Sequence, residues 1–157
     1  MRPHRLIFAE IGLGAGAPLA RRYVARGTAT ADFLNNGSED VVITVLDGSP
    51  VLLRNQSARK GHWLRIKTVG KKSNRDGFGA RVEVTAGSLK QTAEVRANSS
   101  FESASDPRLH FGLGTATRID SITIRWPSGT LDKLGSQAVD QELVIEEGTG
   151  RVSRGKP

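Results

Sequence analysis

The side chains of this 157-residue chain that could do chemistry are few and scattered. Its three histidines, His4, His62 and His110, stand too far apart in sequence to read as a metal cluster, and the absence of cysteine excludes disulfides and thiolate metal sites. A hydrolase needs a nucleophile with a base and an orienting group in reach. Ser73 and Ser128 each lie in a turn-like stretch, but no nucleophile-elbow pattern surrounds either. His110, next to Phe111 in an apolar run, reads as a half-buried structural residue before it reads as a base. Glycoside hydrolysis needs paired carboxylates, and Glu146, Glu147 and Asp76 look like ordinary surface acids. The residues therefore assign no catalytic group, and the chain is expected not to be an enzyme.

Binding is a different matter. Asn74, Arg75 and Asp76 form a polar group inside a glycine-bracketed loop, where Arg75 could offer its planar fork to a carboxylate, a phosphate or sugar hydroxyls held beside Asp76. The structural alternative is that Asn74 and Asp76 bond their own loop backbone while Arg75 pairs with an acid across the turn. Net charge is +7, and six of those charges lie in residues 58–157. Between Ala58 and Arg75 there are seven basic residues and no acid, so Lys67, Lys71 and Lys72 could attract a polyanion; the alternative is a solvated strand face. Nucleic-acid binding usually adds an aromatic platform or a recognisable motif, and neither is present. Trp63 and Trp126 could stack on a sugar, although tryptophan in a small β-domain is more often core.

The elements that must position these residues are strands. Eighteen glycines, few aromatics and many Val, Ile and Thr in short runs favour an all-β chain with many turns. His62 to Val69 alternates, with Leu64, Ile66 and Thr68 on one face and Trp63, Arg65 and Lys67 on the other. Gly70 to Gly79 is a loop. Ala80 to Ala86 and Leu89 to Val95 read as a hairpin joined by Gly87-Ser88, with Val82, Val84, Leu89, Gln91, Ala93 and Val95 facing in. Leu109 to Leu113, Ile119 to Trp126, Thr130 to Leu134 and Glu142 to Glu146 supply further strands, and Pro127-Ser128-Gly129 a turn. The tail from Thr149 to Pro157 is expected to be disordered. Each alternating strand has one face to bury, which makes a small antiparallel β-sandwich the natural solution and an open barrel its rival.

Three motifs, Ser73 to Val82, Leu109-His110-Phe111-Gly112-Leu113-Gly114 and Arg125-Trp126-Pro127-Ser128-Gly129, in this order and spacing resemble the ASPIC/UnbV module of cartilage acidic protein-like proteins, over residues 58–148. Relatives usually carry a glycine-and-tyrosine motif where this chain has Asn98 to Ser103. That module normally follows FG-GAP or VCBS-type propeller repeats, and residues 1–57 look like the end of one. There Asp32, Asn36, Gly37 and Asp40 match a calcium loop, while Leu34 stands where a second acidic ligand belongs. Hard cations need about six to eight oxygen ligands, so a metal-free turn is expected and calcium is at most a weak occupant. Asp40 to Leu46 reads as a buried strand and Val51 to Arg54 as its return, about half a propeller blade whose neighbours are missing from this chain. Leu6 to Ala20, behind Arg2 and Arg5, is apolar enough to raise a signal peptide, but Glu10 interrupts the run and none is expected, and the stretch is too short and glycine-rich to span a membrane.

The resemblance implies an extracellular or cell-envelope binding or adhesion module without a cofactor, whose partner is a protein or a glycan. The alternatives are a polyanion or nucleic-acid binder built on residues 58–75 and a carbohydrate-active enzyme.

Overall fold

A computed structural model describes residues 21–57, 61–98, 101–150 and 152–154. The expectations for Leu6 to Ala20 fall outside the described residues. Within them every helix or strand is a strand: β1 (Ala25–Ala31), β2 (Asp40–Val45), β3 (Val51–Leu53), β4 (His62–Val69), β5 (Arg81–Ala86), β6 (Leu89–Glu94), β7 (Leu109–Gly114), β8 (Arg118–Ile119), β9 (Ser121–Arg125), β10 (Leu131–Leu134), β11 (Gln137–Ala138), β12 (Gln141–Glu146) and β13 (Val152–Arg154). No helix in this part of the chain is long and apolar enough to cross a membrane.

Two four-stranded sheets, β10-β9-β5-β6 and β13-β12-β4-β7, make the sandwich, and the short β11-β8 pair accompanies them. The alternation decides which face is buried. Val82 and Val84 of β5, Ile122 and Ile124 of β9 and Leu134 of β10 meet Leu64 and Ile66 of β4, Phe111 and Leu113 of β7 and Leu143 and Ile145 of β12 in one apolar core. A fully buried Leu, Ile, Val or Phe contributes about 1.5–3 kcal/mol relative to exposure, so this layer dominates the stability of the fold. The two-residue turn Gly87-Ser88 joins β5 to β6 in the register Ala86↔Leu89, with Gly87 at φ 59° as a primed hairpin turn requires. Leu89 is exposed and Gln91 and Ala93 are half-buried, because β6 lies at the sheet edge and runs out from under the facing layer.

Two elements differ from expectation. β12 pairs with β4 in parallel, Gln141↔Leu64 to Glu146↔Val69, in an otherwise antiparallel set of sheets. The tail is not wholly disordered, since Val152–Arg154 pairs antiparallel with β12 as the edge strand β13. The positive φ of Gly148 and Gly150 lets the chain reverse between them.

The first segment forms its own three-stranded sheet, β1-β2-β3, with β1 an addition that the sequence pattern did not mark. β2 is half-buried rather than buried. None of this sheet's apolar side chains enters the core among the described residues, and Val24, Leu46 and Leu52 are exposed. What attaches it to the sandwich is polar: the Asp106 amide donates to Thr30 O, the Thr30 amide donates to Ser105 Oγ, and Arg65 reaches across as described next.

Candidate functional site

Arg65 is the first candidate whose setting the sequence did not show. It belongs to the basic run but is 3% exposed, because the loop between β1 and β2 covers the outer face of β4 at this point. Its Nη1 donates to Asp32 Oδ2 at 3.1 Å, its Nη2 to Asn35 Oδ1 at 2.9 Å and its Nε to Glu142 Oε2 at 2.6 Å. Glu142 also accepts from Arg108 Nη1 at 3.0 Å, and Arg108 forks onto Asp106. Burial works against the charge of Asp106, but the hydrogen bonds and charge of Arg108, with Arg65 beyond, hold its carboxyl below the usual range. Asp32 additionally accepts the backbone amides of Asn36 at 2.9 Å and Gly37 at 2.7 Å, and Asp40 accepts the amide of Asn55 at 2.7 Å. Asp32 and Asp40, two of the sequence's calcium-loop candidates, are thus engaged by guanidinium and amide donors, and Asn36 turns its Oδ1 to the Ser38 amide. Among the described residues no group of three or more His, Cys, Asp or Glu is arranged to hold a metal. Leu34 projects into solvent.

Glu147 is the second. Read as a surface acid, it is 3% exposed and organises the Gly70–Gly79 loop. Its Oε2 accepts the consecutive amides of Lys71, Lys72 and Ser73 at 2.7–2.8 Å, a backbone nest of the kind that binds anions, while Oε1 accepts the hydroxyls of Ser73, at 2.9 Å, and Ser128. Burial opposes its charge, yet the donors from Ser128, Ser73 and Lys71 prevail and its pKa is lowered to about 2. Glu146, its neighbour, does face outward and pairs with Lys71 at 3.4 Å. The same loop takes up Asn74, whose Oδ1 accepts the Phe78 amide and whose Nδ2 donates to Phe78 O, both at 2.8 Å. At Gly77, with φ 72°, a Cβ would overlap Thr68 and approach the Trp126 ring at 3.1 Å, so only glycine fits. Arg75 does not cross the turn to an acid; it is 89% exposed and lies 3.7 Å from adjacent Asp76. Asn74, Arg75 and Asp76 therefore share a loop without converging on a ligand-sized site.

The tryptophans part company. Trp126 is core, its Nε1 donating to buried Asp132 at 2.7 Å. Trp63 lies on the outer face of β4 but is also buried, its ring stacked on His110 with nearly parallel planes (10° between planes, centroids 6.1 Å apart) and the Arg65 guanidinium 5.8 Å from its centroid. These rings wall an open cleft of about 420 Å³ between the β1-β2-β3 sheet and the sandwich, whose other edges carry Glu39, Asn55 and His62. His62 Nδ1 is 2.7 Å from Asp140 Oδ2, and Asp140 also accepts the Trp63 amide. Burial pushes the His110 imidazole below its usual pKa, opposed by Glu39 and Asp32, so it is neutral at pH 7. The polyanion candidates Lys67, Lys71 and Lys72 are all exposed, whereas Arg65 of the same basic run is buried.

An all-β sandwich with a buried carboxylate holding its first loop defines a small β-module. The sequence pattern of the family described as ASPIC and UnbV matches residues 70–152, more than half of the chain, and the chain belongs to that family. The match begins after the β1-β2-β3 sheet and does not reach the segment that resembles a propeller repeat. Among curated proteins none matches the chain.

Proposed function

We propose that the chain is a non-enzymatic binding module acting outside the cell or at its surface. The observation that carries this reading is that, among the described residues, the serines and buried acids able to do chemistry are engaged by one another or by Arg65. Ser73 and Ser128 donate to Glu147, Glu147 is saturated by five donors, and Asp32 and Glu142 hold Arg65. His62 opens β4 while Ser73 lies beyond its far end, a separation on the order of 20 Å at the rise of an extended strand, so these two groups do not form a nucleophile and base. Calcium has no part in the reading, because Arg65 supplies positive charge to the loop that a cation would otherwise occupy.

The test uses the full chain immobilised on a sensor and presented with cell-surface glycans and extracellular proteins, beside ester and glycoside substrates in solution. Saturable binding without turnover is expected. Turnover that disappears in Ser73→Ala or Ser128→Ala, with the fold retained, would overturn the reading. One observation favours a second reading as a polyanion binder: Lys71, Lys72 and Arg75 of one loop, and Lys67 in the strand that leads into it, are all exposed. Heparin binding that survives physiological salt and falls in a Lys72→Glu/Arg75→Glu variant would favour it over the first.

A further inference from the structure

We infer that Arg81, Arg125 and Lys133, with Thr123 beside them, form a subsite for a sulfate ester of a glycan, an assignment that rests on the binding-module reading and names its ligand class. All four stand on the outer face of the β10-β9-β5-β6 sheet, since their strand neighbours Val82, Ile124 and Leu134 are buried in the core. Arg81 and Arg125 face each other directly in the β5–β9 register, and Lys133 faces Thr123 in the next row of the same face. Directly opposed residues hold their Cβ atoms about 4.5–5.5 Å apart, and like charges in that relation destabilise a sheet. The acids of this face do not offset the pair. Glu83 is taken by Lys90 at 3.0 Å, and Glu94 is shared by Arg81 at 4.0 Å and Arg96 at 3.8 Å. Among the described residues neither Arg125 nor Lys133 forms an ion pair.

The chemistry of the row selects the ligand. Two planar guanidinium forks, an ammonium and a hydroxyl on one side of a rigid sheet match a tetrahedral oxyanion, whose oxygens accept paired hydrogen bonds from arginine. An anion seated between the two arginines turns their mutual repulsion into attraction. Beside Arg81 the surface dips into a shallow concavity of about 380 Å³ that is also lined by Thr92, Glu94 and Arg96. There the Glu94 carboxylate suits hydroxyls and disfavours a second anion, so the ligand carries its charge on a hydroxylated ring. The outward positions of these four strands hold no aromatic side chain, which removes the stacking platform used for single-stranded nucleic acid. Sulfate esters are the common tetrahedral anions of glycans outside cells, the setting of the module reading.

The experiment titrates the full chain calorimetrically with a κ-carrageenan hexasaccharide, whose only charges are sulfate esters. Neoagarohexaose serves as its uncharged counterpart and an oligothymidylate as a phosphate polyanion. Binding of the carrageenan alone is expected, and Arg125→Gln should weaken it about tenfold through loss of one charge-assisted fork. Its Tm should stay level or rise, because the opposed charges are relieved. Lys72→Gln, on the separate Gly70–Gly79 loop, should leave the affinity unchanged. A lowered Tm in Arg125→Gln would overturn the inference by showing that Arg125 serves the fold. Carrageenan affinity untouched by Arg125→Gln, or lost in Lys72→Gln alone, would overturn the placement on this sheet. Equal binding of neoagarohexaose or of the oligothymidylate would overturn the sulfate class, as would failure to bind carrageenan by a chain that does bind another glycan or a protein on the sensor. Each of these outcomes leaves the module reading standing, whereas no binding to any ligand in either assay would remove both.

Discussion

Replacing Arg65 by methionine, which keeps an unbranched stem and removes the charge, should release the first sheet from the sandwich. Arg65 is buried and donates to Asp32, Asn35 and Glu142, so the variant leaves two carboxylates facing a site without a cation. Breaking a buried pair by removing one partner typically costs about 3–5 kcal/mol, much of it the penalty of the charge left behind. Here the survivors retain donors: Asp32 keeps the Asn36 and Gly37 amides, and Glu142 keeps Arg108 Nη1. The expected loss is therefore at the low end, about 3 kcal/mol, or about 6–12 °C in Tm for a chain of this size. Urea unfolding at pH 7 measures the first quantity and a calorimetric scan the second. Hydrogen exchange should show β2 losing protection before β5 and β9, because Arg65 ties the β1–β2 loop to β4 while the sandwich core lies on the other face. A double-mutant cycle with Asp32→Asn isolates the pair, with an expected coupling of about 1.5–3 kcal/mol, as for hydrogen bonds to charged groups. An Arg65→Met variant within about 0.5 kcal/mol of wild type, or strict additivity in the cycle, would refute this account of the joint.

Glu147, its pKa lowered to about 2 from an ordinary 4.5, contributes stability that is fully present above about pH 4.5 and lost as pH falls towards 2; Glu147→Gln should be less stable at pH 7 and lose less over that acid range, and parallel acid titrations followed by circular dichroism check it. Calorimetry with calcium should give no submicromolar binding, and a strong site abolished by Asp32→Ala would show that the loop holds a metal after all. Retention on heparin should be weak and should fall steeply with salt, with a slope of about −3 to −4 in log–log terms if Lys67, Lys71, Lys72 and Arg75 all release counterions; a shallow slope would exclude these residues as a cluster. A fragment of residues 61–154 should fold without the first sheet, whereas residues 70–152 should not, because β4 is the strand that both β7 and β12 pair with; cooperative unfolding of the shorter fragment would contradict that dependence.

Period-two alternation in Val82 to Ala86 and in Ile122, Ile124 and Trp126 made the inner faces of β5 and β9 legible, and the short Gly87-Ser88 turn fixed the register between β5 and β6. The same parity held a signal that was not used. Leu143, Ile145 and Glu147 alternate inward, as do Asp132 and Leu134, so two buried acids could have been recognised by counting along their strands. Arg65 could not have been found in this way. Its parity puts it on the outer face with Lys67, and its burial comes from a loop 33 residues away that docks on one end of that face and not the other. Parallel pairing of β12 with β4 was equally invisible, because alternation reports which face is apolar and says nothing about strand direction. The cleft combines both difficulties, since its walls come from sheets that share no local pattern.

The central place of β4 bears on how the protein is made. Arg65 and its partner Glu142 are 77 residues apart, so at synthesis rates of about 5–20 residues per second β4 waits about 4–15 s for β12 to be made. Until β7 follows, 45 residues on in the pairing Arg65↔His110, Leu64 and Ile66 lie in a strand-forming run with no partner strand, the kind of segment that associates with other nascent chains. The alternate positions Arg65 and Lys67 then act as charged gatekeepers on an unpaired strand. Arg65 would thus serve twice, repelling other copies while β4 is exposed and, once the sheet closes, taking up Asp32 and Glu142. A neutral residue at position 65 should accordingly lower the yield of soluble protein in rapid expression by more than its loss of equilibrium stability accounts for.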